Sequence, residues 1–375
     1  MARLRVLVVE DSVTVRMRLC EVLSSDPDME VVGQACDGKQ AIDLCMALRP
    51  DVVTMDMMMP VMTGLAATEY IMAHCPTPIL IVSASTNRGD LFRTYDALAA
   101  GAVDVLDKPE GAEAHGDWER RLLAAVKMTA RIRVITHLRA RLTPRPPPPR
   151  SPKPLQPVPA RPTGHQAAQA PSRLASDEAA GVRLLALGAS TGGPGAIVEV
   201  LRGLPVPLPV PMLVVMHLNE TFASGFADWL DAQTALRVAY AVDGAPLSDL
   251  RGRVTLAPAG CHLVVERGLL RLNHAAPRHS CRPAVDCLFE SIARECASRT
   301  AACLLTGMGR DGAHGLLEIR QGGGRTLVQD EATSVVYGMP REAVRLGAAE
   351  QILPLAAIGP ALASWINDTK GMDRT

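Results

Sequence analysis

The 375-residue sequence predicts an α/β fold made of two doubly wound domains. In both halves, short β-rich apolar segments alternate with segments of helical periodicity, which is typical of parallel strands covered by helices. A proline-rich stretch separates the halves: residues 143–176 contain eleven prolines and five Arg or Lys, but no Asp or Glu. Such a segment forms a semi-rigid tether without a core. We therefore expect a first domain at residues 1–127, a helical extension and basic linker at 128–181, and a second domain at 182–370.

The overall composition excludes several classes of protein. Acidic and basic side chains number 39 each, which argues against a partner nucleic acid because proteins that bind one usually carry a basic excess. No run approaches the roughly 20 apolar residues of a membrane span, so we expect no direct membrane insertion. The nine cysteines lack the paired spacing of a disulfide framework. Reduced thiols predict a cytoplasmic protein.

The first domain has five short β-rich segments, at residues 4–9, 31–35, 52–55, 79–82 and 103–106. Segments with apolar residues at helical spacing lie between them. This alternation predicts one parallel sheet with helices on both faces. The helical spacing that begins near Asp117 continues to about Leu142, so the last helix is expected to extend into the linker.

Charged and polar residues follow the strands of this predicted sheet. Glu10 and Asp11 follow the first strand, Asp56 follows the third, Ser83 follows the fourth, and Lys108 follows the fifth. Ligands of open parallel sheets bind at this carboxyl edge. Clustered carboxylates repel one another unless a cation lies among them, and oxygen ligands suit Mg²⁺. A carboxylate can also accept a phosphoryl group, whose charge the lysine would neutralise and whose oxygens the serine would bind.

With these motifs, the first domain resembles the flavodoxin-like receiver domain of bacterial response regulators. The resemblance covers about residues 3–127. One departure is Val105, where many receivers carry an aromatic switch residue. The matching residues are Glu10 and Asp11, Asp56 within MDMMMP, Ser83, and the sequence Asp107-Lys108-Pro109.

The resemblance implies a role for each of these residues. Asp56 would be phosphorylated by a histidine kinase, and Ser83 and Lys108 would bind the phosphoryl group. The departure at Val105 concerns only the aromatic switch. Mg²⁺ would be held by Glu10, Asp11, Asp56 and the carbonyl of Met58.

The second domain repeats the alternation of strands and helices. Residues 184–187, 212–216 and 301–305 are predicted strands, and residues 221–233 are a predicted helix. A second doubly wound, mostly parallel sheet follows from this pattern.

Two candidate catalytic residues follow neighbouring predicted strands of this domain. Ser190 lies in the sequence GASTGG, which fits the G-x-S-x-G turn that exposes a serine hydroxyl beside a helix N-terminus. His217 follows the next strand, so it is expected at the same edge of the sheet. A serine nucleophile needs a base and an acid that orients the base.

The turn at residues 307–312 has two interpretations. It spells G-x-G-x-x-G, and Asp330 follows it, which is the fingerprint of a nucleotide-dependent oxidoreductase. That interpretation leaves Ser190 and His217 without a role. If Asp311 within the turn faces His217 instead, the three residues complete a triad in the chain order Ser, His, Asp, which differs from that of the α/β-hydrolase fold.

The second domain resembles the catalytic domain of the CheB family, the chemotaxis protein-glutamate methylesterases. The resemblance covers about residues 182–368, and the receiver precedes it in the family's domain order. The matching stretches are GASTGG around Ser190, HLNETFASGFADWL from His217, LAPAG, PAVD, LLTGMGRDGA around Asp311, and VVYGMP.

The family resemblance implies an activity and its residues. Ser190 would be the nucleophile, His217 the general base and acid, and Asp311 the residue that orients His217, with the Met308 N–H as oxyanion donor. The enzyme would hydrolyse glutamyl methyl esters on chemoreceptors and release methanol. The same acyl chemistry on receptor glutamines would release ammonia.

The resemblance also implies partners and regulation. A chemotaxis histidine kinase would be the phosphodonor, methyl-accepting chemoreceptors would be the substrate, and the enzyme would work in the cytoplasm at chemoreceptor arrays. The unphosphorylated receiver would cover the catalytic face, and the catalytic domain would need no cofactor. A non-catalytic docking module controlled by phosphorylation is the alternative, and the intact serine, histidine and aspartate argue against it.

Overall fold

The computed structural model describes residues 3–84, 87–108, 116–132, 134, 182–218 and 220–367. The first domain has five strands and five helices in strict alternation within this part of the chain. In chain order they are β1 (Leu4–Val9), α1 (Val13–Ser25), β2 (Met29–Ala35), α2 (Gly38–Leu48), β3 (Val52–Met55), α3 (Gly64–His74), β4 (Ile79–Ser83), α4 (Arg88–Ala99), β5 (Asp104–Asp107) and α5 (Asp117–Ala130).

The five strands form one parallel sheet in the order β2-β1-β3-β4-β5. Successive side chains of β1 point to opposite faces, because side chains alternate along a strand. Val6 and Val8 pack with α1 and α5, whereas Leu7 and Val9 pack with α2 and α3. The sheet is thus covered on both faces, and the predicted doubly wound fold is confirmed.

The second domain contains the remaining elements. They are β6 (Leu184–Ala189), α6 (Gly193–Arg202), β7 (Met212–Met216), α7 (Glu220–Ala223), α8 (Phe226–Gln233), β8 (Arg237–Tyr240), β9 (Arg253–Leu256), β10 (His262–Glu266), β11 (Leu269–Asn273), α9 (Val285–Cys296), β12 (Thr300–Leu304), α10 (Ala313–Gln321), β13 (Arg325–Gln329), α11 (Met339–Arg345), β14 (Gln351–Leu353) and α12 (Leu355–Asn367).

Seven of these strands form a parallel sheet in the order β14-β13-β12-β6-β7-β9-β8. β10 and β11 pair separately as an antiparallel hairpin. The chain follows β6 to β7 on one side, and it adds β12 on the other side only later. This reversal of strand order is the place where open α/β sheets bind ligands. The carboxyl ends of β12, β6 and β7 therefore lie side by side there.

Two predicted helices differ from the structure. The predicted helix at 221–233 is divided into α7 and α8, because the hydroxyl groups of Tyr95 and Tyr240 bond to the carbonyls of Phe222 and Ala223. These carbonyls are the acceptors that a continuous helix would use. The predicted extension to Leu142 begins as α5, which ends at Ala130, and apart from residues 131, 132 and 134 the rest lies outside the described residues.

The two domains contact each other through α4 of the first domain. Tyr95 is fully buried among Phe226 and Trp229 of α8, with ring centroids 5.4 and 5.5 Å away. Asp96 accepts a 2.8 Å hydrogen bond from the indole N–H of Trp229. α4 also approaches α6, where a side chain at Gly195 would lie 3.2 Å from the Ala99 carbonyl. Among the described helices, none is both long enough and apolar enough to cross a membrane.

Candidate active site

The carboxyl edge of the first sheet holds a compact cluster of carboxylates. Ligand atoms of Glu10, Asp11 and Asp56 lie within 4.8 Å of one another. Lys108 bridges two of them, with Nζ 2.8 Å from Glu10 Oε2 and 3.1 Å from Asp56 Oδ2. The strand ends place these groups together because β1, β3 and β5 run parallel and their carboxyl ends share one edge.

Burial dominates the electrostatics of this cluster. Burial raises the pKa of Glu10 and of Asp56, although the Lys108 ammonium opposes both shifts. The mutual repulsion of the two carboxylates adds to the rise for Glu10. Burial lowers the pKa of Lys108, but its contacts with the two carboxylates outweigh burial and raise it. Buried acids that repel one another favour a bound cation, and hard oxygen ligands fit Mg²⁺.

The other residues predicted for this site lie around the cluster. Ser83 ends β4 next to β5, and its carbonyl accepts the backbone N–H of Lys108 at 3.0 Å. Met58 lies two residues after Asp56, and its sulfur contacts Arg93 of α4. Val105 pairs with Ile81 inside the sheet. Pro109 lies outside the described residues.

Ser190 follows β6 in the turn that leads to α6. Gly192 has a φ of 77°, and a side chain there would collide with Val335, so the turn requires glycine for both reasons. α6 begins at Gly193, which puts the positive end of its dipole beside Ser190. The Ser190 hydroxyl forms no hydrogen bond with another described residue, and the side chain is half-buried.

His217 and Asp311 form a hydrogen-bonded pair next to this turn. Nε2 of His217 lies 2.9 Å from Oδ2 of Asp311, and their side chains are 11% and 3% exposed. Asp311 also accepts the backbone N–H groups of Val285 at 2.7 Å and Asp286 at 2.9 Å, at the start of α9. Because these donors fix both oxygens, the carboxylate holds one orientation toward the imidazole.

The pair shifts the proton affinity of both groups. Burial alone would lower the pKa of His217, but its hydrogen bonds with Asp311 and Cys281 outweigh burial and raise the pKa to about 9. Burial would raise the pKa of Asp311, but the contact with His217 and the two backbone N–H groups lower it. The pair therefore favours an imidazolium beside a carboxylate.

The structure places Ser190, His217 and Asp311 after three adjacent strands, β6, β7 and β12. It joins the histidine and the aspartate directly. The other ring nitrogen of His217, Nδ1, contacts the Cys281 sulfur at 3.6 Å instead of the serine hydroxyl. A serine–histidine hydrogen bond would therefore need a rotation of side chains.

The glycine-rich turn at 307–312 packs against the serine turn. The Gly307 backbone lies against the Ser190 side chain, so a side chain at 307 would lie 2.8 Å from the Ser190 Cβ. The Met308 N–H donates no hydrogen bond to a described residue. At the neighbouring Gly307, by contrast, the N–H donates to the Val336 carbonyl and the carbonyl accepts the N–H of Gly338. The turn also carries Asp311. The Asp330 carboxylate accepts hydrogen bonds from the backbone N–H and the hydroxyl of Thr333. This arrangement gives no support to the dinucleotide interpretation.

Sequence reasoning missed the contact between Cys281 and His217. The two residues are 64 positions apart, and no spacing pattern relates them. It also missed the hydrogen bond between His279 and the fully buried Asp286, which measures 3.0 Å. Such contacts come from the packing of α9 against the main sheet, which local sequence does not encode.

Comparison with known proteins agrees with this arrangement. The family profile described as CheB methylesterase matches residues 185–362, and the one described as response regulator receiver domain matches residues 6–115. A protein-glutamate methylesterase/protein-glutamine glutaminase 2 of Anaeromyxobacter dehalogenans is 42% identical over 96% of both chains. The chain belongs to the CheB methylesterase family. The predicted family, the two-domain architecture and the hydrolase class are thereby confirmed.

Two further similarities concern the whole chain and its second half. A protein of the same name from Pseudomonas aeruginosa is 44% identical over 95% of both chains. The crystal structure of the Thermotoga maritima CheB methylesterase catalytic domain is 33% identical, covers 49% of this chain and 98% of that chain, and gives a TM-score of 0.46.

Proposed function

We propose that this CheB-family chain hydrolyses glutamyl methyl esters on chemoreceptors through Ser190, His217 and Asp311. The observation that carries the proposal is the 2.9 Å hydrogen bond between His217 and Asp311 beside the serine turn. A histidine oriented by a buried carboxylate is the base that a serine nucleophile requires. Family membership supports the same reaction.

The proposed reaction proceeds through an acyl-enzyme. Asp311 occupies Nε2 of His217, so Nδ1 is the nitrogen that takes the proton of Ser190. The serine oxygen then attacks the ester carbonyl, and the protonated imidazole gives its proton to the leaving methoxide, which departs as methanol. In the second half, His217 deprotonates a water that attacks the acyl-enzyme, and the proton returns to Ser190.

The developing oxyanion needs hydrogen-bond donors. We assign this role to the Met308 N–H, which lies in the turn that packs against Ser190 and is unpaired among the described residues. The N-terminus of α6 adds favourable electrostatic potential at the same place. Donors fixed before the reaction stabilise the transition state without reorganisation.

Deamidation of receptor glutamines is the second candidate activity. The same acyl-enzyme would form, with ammonia as the leaving group in place of methanol. The names of the relatives include protein-glutamine glutaminase, which favours this activity. Ammonia release from a glutamine-containing receptor, compared with methanol release from the methylated form, separates the two.

The receiver domain is the proposed regulatory input. A chemotaxis histidine kinase would phosphorylate Asp56, and Ser83 and Lys108 would bind the phosphoryl oxygens. Bound Mg²⁺ would neutralise negative charge on the carboxylates and on the incoming phosphoryl group. The carboxylate cluster fits Mg²⁺ by its donor atoms, and the proposed ligands are Glu10, Asp11, Asp56 and the carbonyl of Met58.

The contact of α4 with the second domain supports regulation by masking. α4 packs on α6, α7 and α8, which follow Ser190 and His217 in the chain. α4 also starts five residues after Ser83, and Arg93 of α4 contacts Met58, two residues after Asp56. A phosphoryl group on Asp56 would disturb these contacts and weaken the interface. Complete reversal from a 99:1 masked state would require about 5.5 kcal/mol.

Methanol release tests the regulation directly. We expect release from methyl-esterified receptor to rise when Mg²⁺ and a small phosphodonor are added to the full chain, and Asp56→Asn to abolish the rise. Asp43→Asn, an exposed aspartate on α2, is the matched control and should respond like wild type. Release that ignores the phosphodonor in wild type would keep the esterase and overturn the masking.

The activity should depend on pH because His217 must be unprotonated to act as a base. Its pKa of about 9 predicts that kcat/KM rises with pH and levels off only above that value. The rates should be corrected for spontaneous ester hydrolysis with a Ser190→Ala blank. A plateau already reached near pH 7 would contradict an imidazolium in the free enzyme.

We also propose the domain limits and the location of the enzyme. Residues 1–127 are assigned to the receiver, 128–181 to the extension and linker, and 182–370 to the catalytic domain, with support from the profile matches at 6–115 and 185–362. The enzyme would act in the cytoplasm, where chemoreceptor arrays present their modified helices.

A further inference from the structure

Cys281 lies at the end of a tight two-residue turn. Arg278 and Cys281 pair through two backbone hydrogen bonds of 3.1 and 2.9 Å. Between them, His279 and Ser280 have φ values of 52° and 63°. This geometry is that of a hairpin turn that favours glycine or asparagine. Residues with larger side chains persist in it only when their surroundings hold them there, and such strain concentrates at functional sites.

Side-chain contacts anchor this turn to α9. Arg278 forms an ion pair with Glu290 at 2.5 Å, and His279 Nε2 lies 3.0 Å from the buried Asp286. α9 is also the helix whose first N–H groups hold Asp311. One helix therefore fixes the carboxylate on one side of His217 and the turn with Cys281 on the other.

The imidazole of His217 is held at both nitrogens. Nε2 bonds to Asp311 at 2.9 Å, and Nδ1 lies 3.6 Å from the sulfur of Cys281, a normal distance for a hydrogen bond to sulfur. We propose that Cys281 is a positioning residue of the esterase reaction, whose thiol holds Nδ1 in the resting enzyme until Ser190 takes that nitrogen. The inference rests on the proposed roles of Ser190 and His217.

A thiol is suited to this role because it forms only weak hydrogen bonds. It can fix the ring orientation between catalytic cycles and still release Nδ1 to a serine hydroxyl when substrate binds. A stronger partner at the same place, such as a carboxylate, would compete with Ser190 for the nitrogen. The thiol also favours the protonated imidazole, as Asp311 does.

Four other charged or titratable residues that the structure describes lie near Asp311 and Cys281, the two partners of His217, and they contact one another. Asp286 and His279 bond to each other next to Asp311, and Arg310 Nε lies 3.4 Å from His279 Nδ1. Arg278 lies 3.8 Å from Asp286. Because none of these four contacts the His217 ring in the described part of the chain, Cys281 is the group whose removal should change the imidazole most after Asp311.

Two substitutions test the proposal in the full chain with Mg²⁺ and phosphodonor. Cys281→Ala should lower kcat about tenfold, as expected for loss of one hydrogen bond, leave KM within about twofold, and move the acid limb of kcat/KM to lower pH. Cys281→Ser should recover most of kcat, because a hydroxyl can still bond to Nδ1. The acid limb of its kcat/KM profile should lie between those of wild type and Cys281→Ala. Cys296→Ala, at the far end of α9 where the thiol contacts Thr300, is the matched control for loss of a thiol on this helix.

Each outcome has a definite meaning. An unchanged kcat and pH profile in Cys281→Ala would overturn the positioning role. Loss as complete as that of Ser190→Ala in both Cys281→Ala and Cys281→Ser would also overturn it, because the reaction would then require the thiol itself and not only its hold on Nδ1. If Cys281→Ala does not fold, the acid limb of Cys281→Ser decides: a shift to lower pH supports the role, and no shift rejects it. Full activity of Ser190→Ala would instead show failure of the proposed function.

Discussion

Replacement of Ser190 by alanine is expected to lower kcat for methyl ester hydrolysis by about 10⁴ to 10⁶. The substitution removes the only protein atom that the proposed reaction bonds to the acyl group. His217, Asp311 and the Met308 N–H would remain, but they act as a unit with the nucleophile. The measurement is methanol release from methyl-esterified receptor by the full chain with Mg²⁺ and phosphodonor.

The fold should tolerate this change. The Ser190 hydroxyl has no hydrogen-bond partner among the described residues, so its loss leaves no buried group unsatisfied. The melting temperature should therefore match wild type. Ser248→Ala, at an exposed serine far along the chain, is the control for loss of a hydroxyl and should keep full activity. Activity within tenfold of wild type in Ser190→Ala would exclude the serine as nucleophile.

The receiver site could be predicted from the sequence because its geometry follows from local patterns. Glu10, Asp56 and Lys108 each follow a predicted strand, and parallel strands bring their carboxyl ends to one edge. The positions after strands are therefore neighbours in space whatever the details of packing. The structure places the Lys108 ammonium within 3.1 Å of the carboxylates of both Glu10 and Asp56.

The catalytic site could be predicted only in part. Ser190 and His217 follow consecutive strands, so their common edge follows from the alternation of strands and helices. The proximity of Asp311 depends on β12 pairing with β6, which are distant in sequence. No propensity encodes that pairing, so the sequence offered Asp311 only as one of two interpretations of its turn, and the family resemblance favoured it.

The resemblance implied that the receiver covers the catalytic face, but the residues that form the interface between the domains could not be predicted from the sequence. Tyr95 is an ordinary apolar position of a helix, and nothing near it in sequence indicates that its hydroxyl bonds to the Phe222 carbonyl. The break between α7 and α8 shares this origin, since Tyr95 of the other domain takes the Phe222 carbonyl and Tyr240 of β8 takes the Ala223 carbonyl. Local propensity predicts a continuous helix, and tertiary contacts override it.

Replacement of Asp311 by asparagine is expected to lower kcat by about 10⁴ with little change in backbone structure. The carboxylate now accepts hydrogen bonds from His217 and from the N–H groups of Val285 and Asp286. An amide has one oxygen for these three donors, so its NH₂ group must face a donor. The imidazole then loses its orientation and the preference for a proton on Nε2.

The same substitution should change stability in a pH-dependent way. Leaving a buried N–H unsatisfied destabilises by about 1–3 kcal/mol. The raised pKa of His217, about 9 against 6.5, stabilises the folded state fully below the lower value and loses this effect as pH rises through the higher one. The lowered pKa of Asp311 stabilises the folded state at pH values above its ordinary pKa of 3.8, and this effect is lost as pH falls through the lowered pKa. The difference in the free energy of unfolding between wild type and Asp311→Asn should therefore be largest between pH 3.8 and pH 6.5, and it should shrink above about pH 9.

Urea unfolding of both proteins at several pH values, together with methanol release, checks this prediction. Asp330→Asn is the matched control, since Asp330 caps Thr333 and does not contact His217. The acid limb of kcat/KM should also move to lower pH in Asp311→Asn, because the imidazole loses its strongest anionic partner. A variant that keeps wild-type kcat while its stability falls would restrict Asp311 to a structural role and leave Ser190 to be activated by His217 alone.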